Sequence, residues 1–250
     1  TMKKILFITV LSFFSIFLFG QTYIPGNVYY DSTGYVEYRA GNIPIIISAP
    51  HGDTLKLAFP DLTCTGGTPP EFPDSYTKHI AIGIYDRFVT ETGCYPHVII
   101  NLLHKRKFQP NANITNAACG NPTIEKAWYG YHGFIDSAKV QVEQDYGRGL
   151  LIDLHGHAHS IQRIELGYLL DTTELRLSDS MLNTSTYIEE SSIRTLVSTN
   201  LQNHSHAELL RGQHSFGTLL ENKGYPSIPS TSTPFTLTGE PYFTGGYISQ

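Results

Sequence analysis

The stretch LLIDLHGHAH, residues 150–159, begins as a continuous apolar run and ends in an acid and three histidines. A short apolar run without alternation suits a strand covered on both faces of a sheet. Polar residues gathered just past such a strand stand where open α/β sheets form their ligand crevice. Two earlier runs have the same character, IPIIIS at 43–48 and HVIINLL at 97–103. The sequence therefore predicts buried strands over 43–48, 97–103 and 150–154. Helical spacing lies between them. Tyr76, Ile80, Ile84 and Phe88 recur every four residues over 75–92, with Asp74 where an N-cap belongs and Gly93 where the helix would stop. Trp128, Tyr131, Ile135, Ala138 and Val142 form a stripe over 123–146, and Gly147 closes it. Further helices are predicted over 191–202 and 206–223, with Gly224 after the last. Strands alternating with amphipathic helices predict a layered α/β domain.

The chain opens with Lys3-Lys4 and then a charge-free apolar run that reaches the small residue Gly20. That order reads as a secretory signal peptide over 1–20 rather than a membrane span, because the polar, turn-rich segment 21–27 follows directly. Its removal, with Lys3 and Lys4, would take the formal net charge from −5 to −7. An acidic surface excludes nucleic acid as the expected partner and does not favour an anionic membrane. Residues 21–250 suffice for one domain with a sizeable core. Of Cys64, Cys94 and Cys119, one pair could bridge in an oxidising compartment and leave one thiol free. Their spacing fits no zinc ribbon. The Pro-, Gly- and Thr-rich segments 60–73 and 226–241 read as loops long enough to wall a site.

Eleven histidines are many for this length, so position must sort them. His51 follows the strand predicted over 43–48 and opens the turn His51-Gly52-Asp53. Gly52 would permit close approach of the backbone. His155 follows the strand predicted over 150–154, with Asp153 two residues earlier on the same face. Two strand ends that each deliver a histidine, with one carboxylate, make the ligand set of a catalytic zinc. The carboxylate is open between Asp53 and Asp74, and Asp153 is placed to orient His155. His157 and His159 read as neighbours of the site rather than ligands. Lys105, Arg106 and Lys107 follow the strand of 97–103, an unusual basic cluster in an acidic protein. It reads either as a solvated turn or as a clamp for a substrate carboxylate and a developing oxyanion. No G-x-S-x-G elbow or Walker A loop is present, and the pairs Gly66-Gly67 and Gly245-Gly246 are weak signals alone.

In this order, SAPHGD (48–53), PDSYTKHIA (73–81), LLHKRKFQPN (102–111), AWYGYH (127–132), LLIDLHGHAH (150–159), SFGTLLENKGYPSIPS (215–230) and PYFTGGYI (241–248) resemble the N-formylglutamate amidohydrolase-like family, which is related to the zinc carboxypeptidases. The resemblance implies a single α/β domain over 21–250 with a central mixed, mostly parallel sheet flanked by helices, of the phosphorylase/hydrolase-like, zinc carboxypeptidase-like kind. It implies one zinc ion held by His51, Asp74 and His155. His-x-x-Glu is ruled out as the ligand pair because Thr54 stands third after His51. It implies hydrolysis of an amide in a small-molecule or peptide substrate that carries a carboxylate. Lys105 and Asn111 would bind substrate and Arg106 would stabilise charge. The family's expected base is a glutamate on a strand past the position of Gln250, and within this sequence Glu221, ahead of Glu240, is the late glutamate placed to serve as acid/base. Two departures bear on this. Gln109 and Ala112 replace an acid and an arginine expected around Asn111, and the tail ends at Gln250 where the family continues toward a strand bearing a glutamate. The expected protein is therefore an exported, periplasmic or extracellular amidohydrolase. The other reading is a secreted binding protein of the same fold with impaired catalysis.

Overall fold

The computed structural model describes residues 22–58, 61–64 and 74–250. The signal peptide expected over 1–20 and most of the loop of 60–73 lie outside the described residues. In chain order the elements are β1 (Val28–Tyr30), β2 (Val36–Arg39), β3 (Ile45–Ala49), α1 (Thr77–Thr92), β4 (His97–Asn101), α2 (Ile114–Ala118), α3 (Pro122–Tyr146), β5 (Leu150–Asp153), β6 (Ile164–Glu165), α4 (Asp179–Leu182), α5 (Ser185–Glu190), α6 (Arg194–Thr199), α7 (His206–Arg211), α8 (Phe216–Glu221) and β7 (Ser227–Ile228).

Five strands form a mixed sheet in the order β1-β2-β4-β3-β5. β3 runs parallel to both β4 and β5, and β2 runs antiparallel to both β1 and β4. The sheet is thus mixed but not mostly parallel. The reason is the β1–β2 hairpin, whose short strands carry too little periodicity to read. Its turn is closed by Asp31, which accepts from the backbone of Thr33, Tyr35 and Val36.

Side-chain alternation along the central strands assigns the two faces. Ile46 and Ile99 join Tyr131, Ile135, Ala138 and Val142 of α3 on one face. Ile47, Ala49, Val98 and Ile100 join Ala81 and Tyr85 of α1 on the other. Ile47, Val98, Ile99 and Ile100 are fully buried, and each such side chain is worth roughly 1.5–3 kcal/mol against exposure. A separate core of Tyr168, Leu170, Leu175, Leu182, Ala207 and Leu210 holds the later helices together.

Several boundaries moved for identifiable reasons. β4 stops at Asn101, whose side-chain amide donates to the carbonyls of Pro50 and Leu103 and accepts from the Leu103 N–H. Asp74 does not cap α1. Tyr76 precedes that helix in a left-handed conformation without a side-chain cap, because the Asp74 carboxylate is turned elsewhere. Gly93 and Gly147 do end their helices with positive φ. The helix predicted over 206–223 is two short ones. α7 ends at an extended Gly212, and α8 restarts where Ser215 caps it by accepting from the Thr218 N–H. The region 191–202 is helical only over α6. The loop of 226–241 includes β7, which pairs with β6.

Candidate metal centre

β3 and β5 run side by side and end at the same edge of the sheet, Ser48 opposite Asp153. His51 and His155 follow those ends, and their rings sit 5.0 Å apart at 65°. Gly52 makes this possible, since a Cβ there would stand 2.3 Å from the Lys78 nitrogen at the start of α1. The backbone N–H of Asp74 donates to the His51 carbonyl, which carries Asp74 into the crevice. Its Oδ2 lies 3.4 Å from His51 Nδ1 and 3.2 Å from His155 Nδ1, and it also accepts from the Gly156 N–H. Ligand atoms of His51, Asp74 and His155 lie within 4.8 Å of one another.

Further contacts hold the trio. His155 Nε2 lies 2.9 Å from Asp153 Oδ2. The Ser48 hydroxyl, 2.7 Å from the buried Tyr131 phenol, donates to the other Asp153 oxygen at 2.6 Å. Lys105 Nζ donates to Asp74 Oδ1 at 2.7 Å. The Asn111 amide nitrogen lies 2.9 Å from His155 Nε2, and its oxygen accepts from the Ile248 N–H. The Phe243 ring rests 5.2 Å from that of His155. Gly246 approaches Asn111 so closely that a Cβ would stand 2.1 Å from the amide. The glycine pair that looked isolated in sequence thus lets the tail cross the site.

The electrostatics follow from these contacts. Burial alone would raise the Asp74 carboxyl, but hydrogen bonds from His155, His51 and Lys105 hold it well below the usual carboxylate range. Burial opposes charge on His155, yet Asp153 and Asp74 outweigh it and raise the imidazole to about 9. Burial pushes His51 down despite Asp74. The two carboxylates thus favour the charged form of His155, while burial favours the neutral form of His51. His155 must release a proton to act as a ligand.

The trio fits a borderline divalent cation such as zinc, which favours imidazole and carboxylate. His51 Nε2 is buried with no hydrogen-bond partner among the described residues, an uncompensated polar atom of the kind that ligand sites tolerate. The His155–Asp153 pair matches the carboxylate support usual behind ligand histidines.

Other predicted residues lie apart from this centre. Asp53 pairs with Lys78 and is not in the cluster. Arg106 and Lys107 both turn to Asp61, at 3.0 and 2.8 Å. Glu221 accepts from Ser232, and burial, which would raise its carboxyl, is outweighed by hydrogen bonds from Ser232 and Ser230 that lower it. Glu240 meets Arg163 at 3.3 Å. Among the described residues neither glutamate hydrogen-bonds the metal trio. Ser48, Tyr131 and Phe243 were not anticipated. A serine inside the apolar run IPIIIS was the available signal for the first, whereas Phe243 depends on how the tail folds back. Cys64 and Cys119 form a disulfide and Cys94 is free. No protein-family model, no curated protein and no solved structure matches this chain.

Proposed function

We propose that this chain is an exported zinc-dependent amidohydrolase acting on an amide in a carboxylate-bearing small molecule or peptide. One observation carries the reading: His51, Asp74 and His155 converge at the shared edge of two parallel strands, held by Asp153 and Lys105. The resemblance to the N-formylglutamate amidohydrolase-like family supplies the reaction class, and the apolar run after Lys3-Lys4 supplies the export.

When bound, zinc supplies Lewis acidity for the amide carbonyl and for the attacking water. His51, Asp74 and His155 would hold it. Asp153 fixes the orientation of His155, and Ser48 fixes Asp153. Lys105, which donates to Asp74, would bind a substrate carboxylate. The Asn111 amide, beside His155, offers a hydrogen bond to substrate. Arg106 would serve only after leaving Asp61.

A secreted binding protein of the same fold is the second reading. It is favoured by the placement of Glu221 on Ser232 and Glu240 on Arg163, which leaves the water without an assigned base among the described residues. The deciding experiment incubates zinc-loaded protein with N-acyl amino acids and peptides and measures released amine. Chelator-sensitive release establishes the enzyme. Binding of these compounds without release establishes the binding protein.

A further inference from the structure

Beside the metal trio lies another group of ligand side chains. His157, His159 and Glu165 offer ligand atoms within 4.8 Å of one another. His157 and His159 follow His155 at two-residue steps on the segment leaving β5, and Glu165 is the last residue of β6. We propose that these three side chains hold a second divalent cation of the zinc type, next to the first centre and separate from it.

The arrangement of each ligand supports this. His157 Nε2 donates to the Arg163 carbonyl at 2.8 Å. That bond fixes the tautomer and leaves Nδ1 with a lone pair, engaged among the described residues only by the His159 N–H at a long 3.3 Å. Ligand histidines characteristically donate their other nitrogen to a carbonyl in this way. His159 Nδ1 stands 3.1 and 3.0 Å from the two Glu165 oxygens. A cation between ring and carboxylate would replace the proton they share. The Glu165 side chain is only 2% exposed, and a buried carboxylate needs strong compensation. It has the Phe243 N–H at 2.8 Å. The Arg163 guanidinium comes only to 3.5 Å with its Nε, and that nitrogen is itself without a hydrogen-bond partner among the described residues.

The histidine rings are tilted by 39° with centroids 4.9 Å apart, so their lone pairs can converge. His157 is exposed, which leaves an entry path. The group His204, Glu208 and His214 shares the histidine–carboxylate contact, with His214 Nδ1 2.8 Å from Glu208 Oε1, but its carboxylate is 31% exposed. Its two rings stack nearly parallel, at 18° and 4.2 Å, so their lone pairs run side by side. The two centres are joined through Phe243, whose ring lies on His155 while its N–H bonds Glu165.

Zinc content per chain tests this without reference to activity. The full chain is stripped with chelator, reloaded with zinc, dialysed and analysed by mass spectrometry of the metal, with circular dichroism confirming the fold. The wild type should hold about two ions, and the pair His157→Ala with His159→Ala should hold about one. Glu165→Gln, which keeps the shape of the buried side chain, should lose the same ion. His51→Ala should lose the other ion and keep this one, so failure at either centre reads separately. Equal zinc in the wild type, the double variant and Glu165→Gln would overturn the proposal.

Discussion

His155 Nε2 lies 2.9 Å from Asp153 Oδ2, and the two residues stand two apart at the end of one strand. The carboxylate holds the ring so that Nδ1 faces Asp74. Asp153→Asn keeps the size of the side chain but loses the charge that orients and enriches the imidazole. Zinc affinity should fall about 10–100-fold, read by competition with a chromophoric chelator. Asp74→Asn, which removes a ligand, should cost more than that. Equal losses in the two variants would contradict the assigned roles.

Ser48 ties the centre to the core. Its hydroxyl meets both the Tyr131 phenol and Asp153 between β3 and α3. Ser48→Ala leaves two buried polar groups short of a partner, an expected loss of roughly 1–3 kcal/mol. Urea unfolding measures it, and Tyr131→Phe should be milder because Ser48 keeps Asp153.

Gly52 tests the approach of α1 to the His51 turn. A Cβ would meet backbone rather than a movable side-chain end, 2.3 Å from the Lys78 nitrogen. Gly52→Ala should therefore displace His51 along with the turn. The expected cost is about 1–3 kcal/mol of stability, as for overpacking generally, with weakened zinc binding besides. Unchanged zinc affinity would show that the turn relaxes without moving His51.

His97 gives a pH signature away from the candidate metal centre. Burial holds its imidazole down to about 4. Its Nδ1 accepts from the Tyr38 hydroxyl and the Gly41 N–H, so protonation would set a donor against a donor. The unfolded histidine titrates near 6.5. Above that pH both states are neutral and the residue contributes no pH dependence. As pH falls from 6.5 to 4, only the unfolded state takes the proton, and stability drops by roughly 3 kcal/mol before levelling off. His97→Asn should be less stable at pH 7.5 but lose less between pH 7 and 5. Parallel slopes for variant and wild type would remove His97 as the cause.

These relationships were unevenly legible in the sequence. β3, β4 and β5 could be read because burial on both faces makes the whole run apolar. His51 and His155 could be read because strand ends are where side chains leave the sheet for the crevice. Asp74 could not be placed on local grounds. Its spacing before α1 predicted a cap, yet its carboxylate goes to two histidines and a lysine far away in sequence. The trio Lys105, Arg106 and Lys107 is contiguous but divides between Asp74 and Asp61. The pairing depends on which acids other segments bring near, and no periodicity encodes that. Gly246 is a close-approach glycine whose partner, Asn111, lies more than a hundred residues earlier.

The Cys64–Cys119 disulfide joins the segment 61–64 to the residue that ends α2, across a separation of 55 residues. Within that loop lie Asp74, Lys105 and Asn111, and Asp61 just outside it pairs with Arg106 and Lys107. Loop-closure entropy for this length corresponds to about 4 kcal/mol of stabilisation through the unfolded state. Replacing both cysteines by serine should lower stability by an amount of that order in urea unfolding. Because the ligand contacts themselves remain, zinc affinity of the folded variant should change far less than in Asp153→Asn. If zinc binding fell as steeply as stability, the bridge would have to shape the folded centre as well as restrain the unfolded chain.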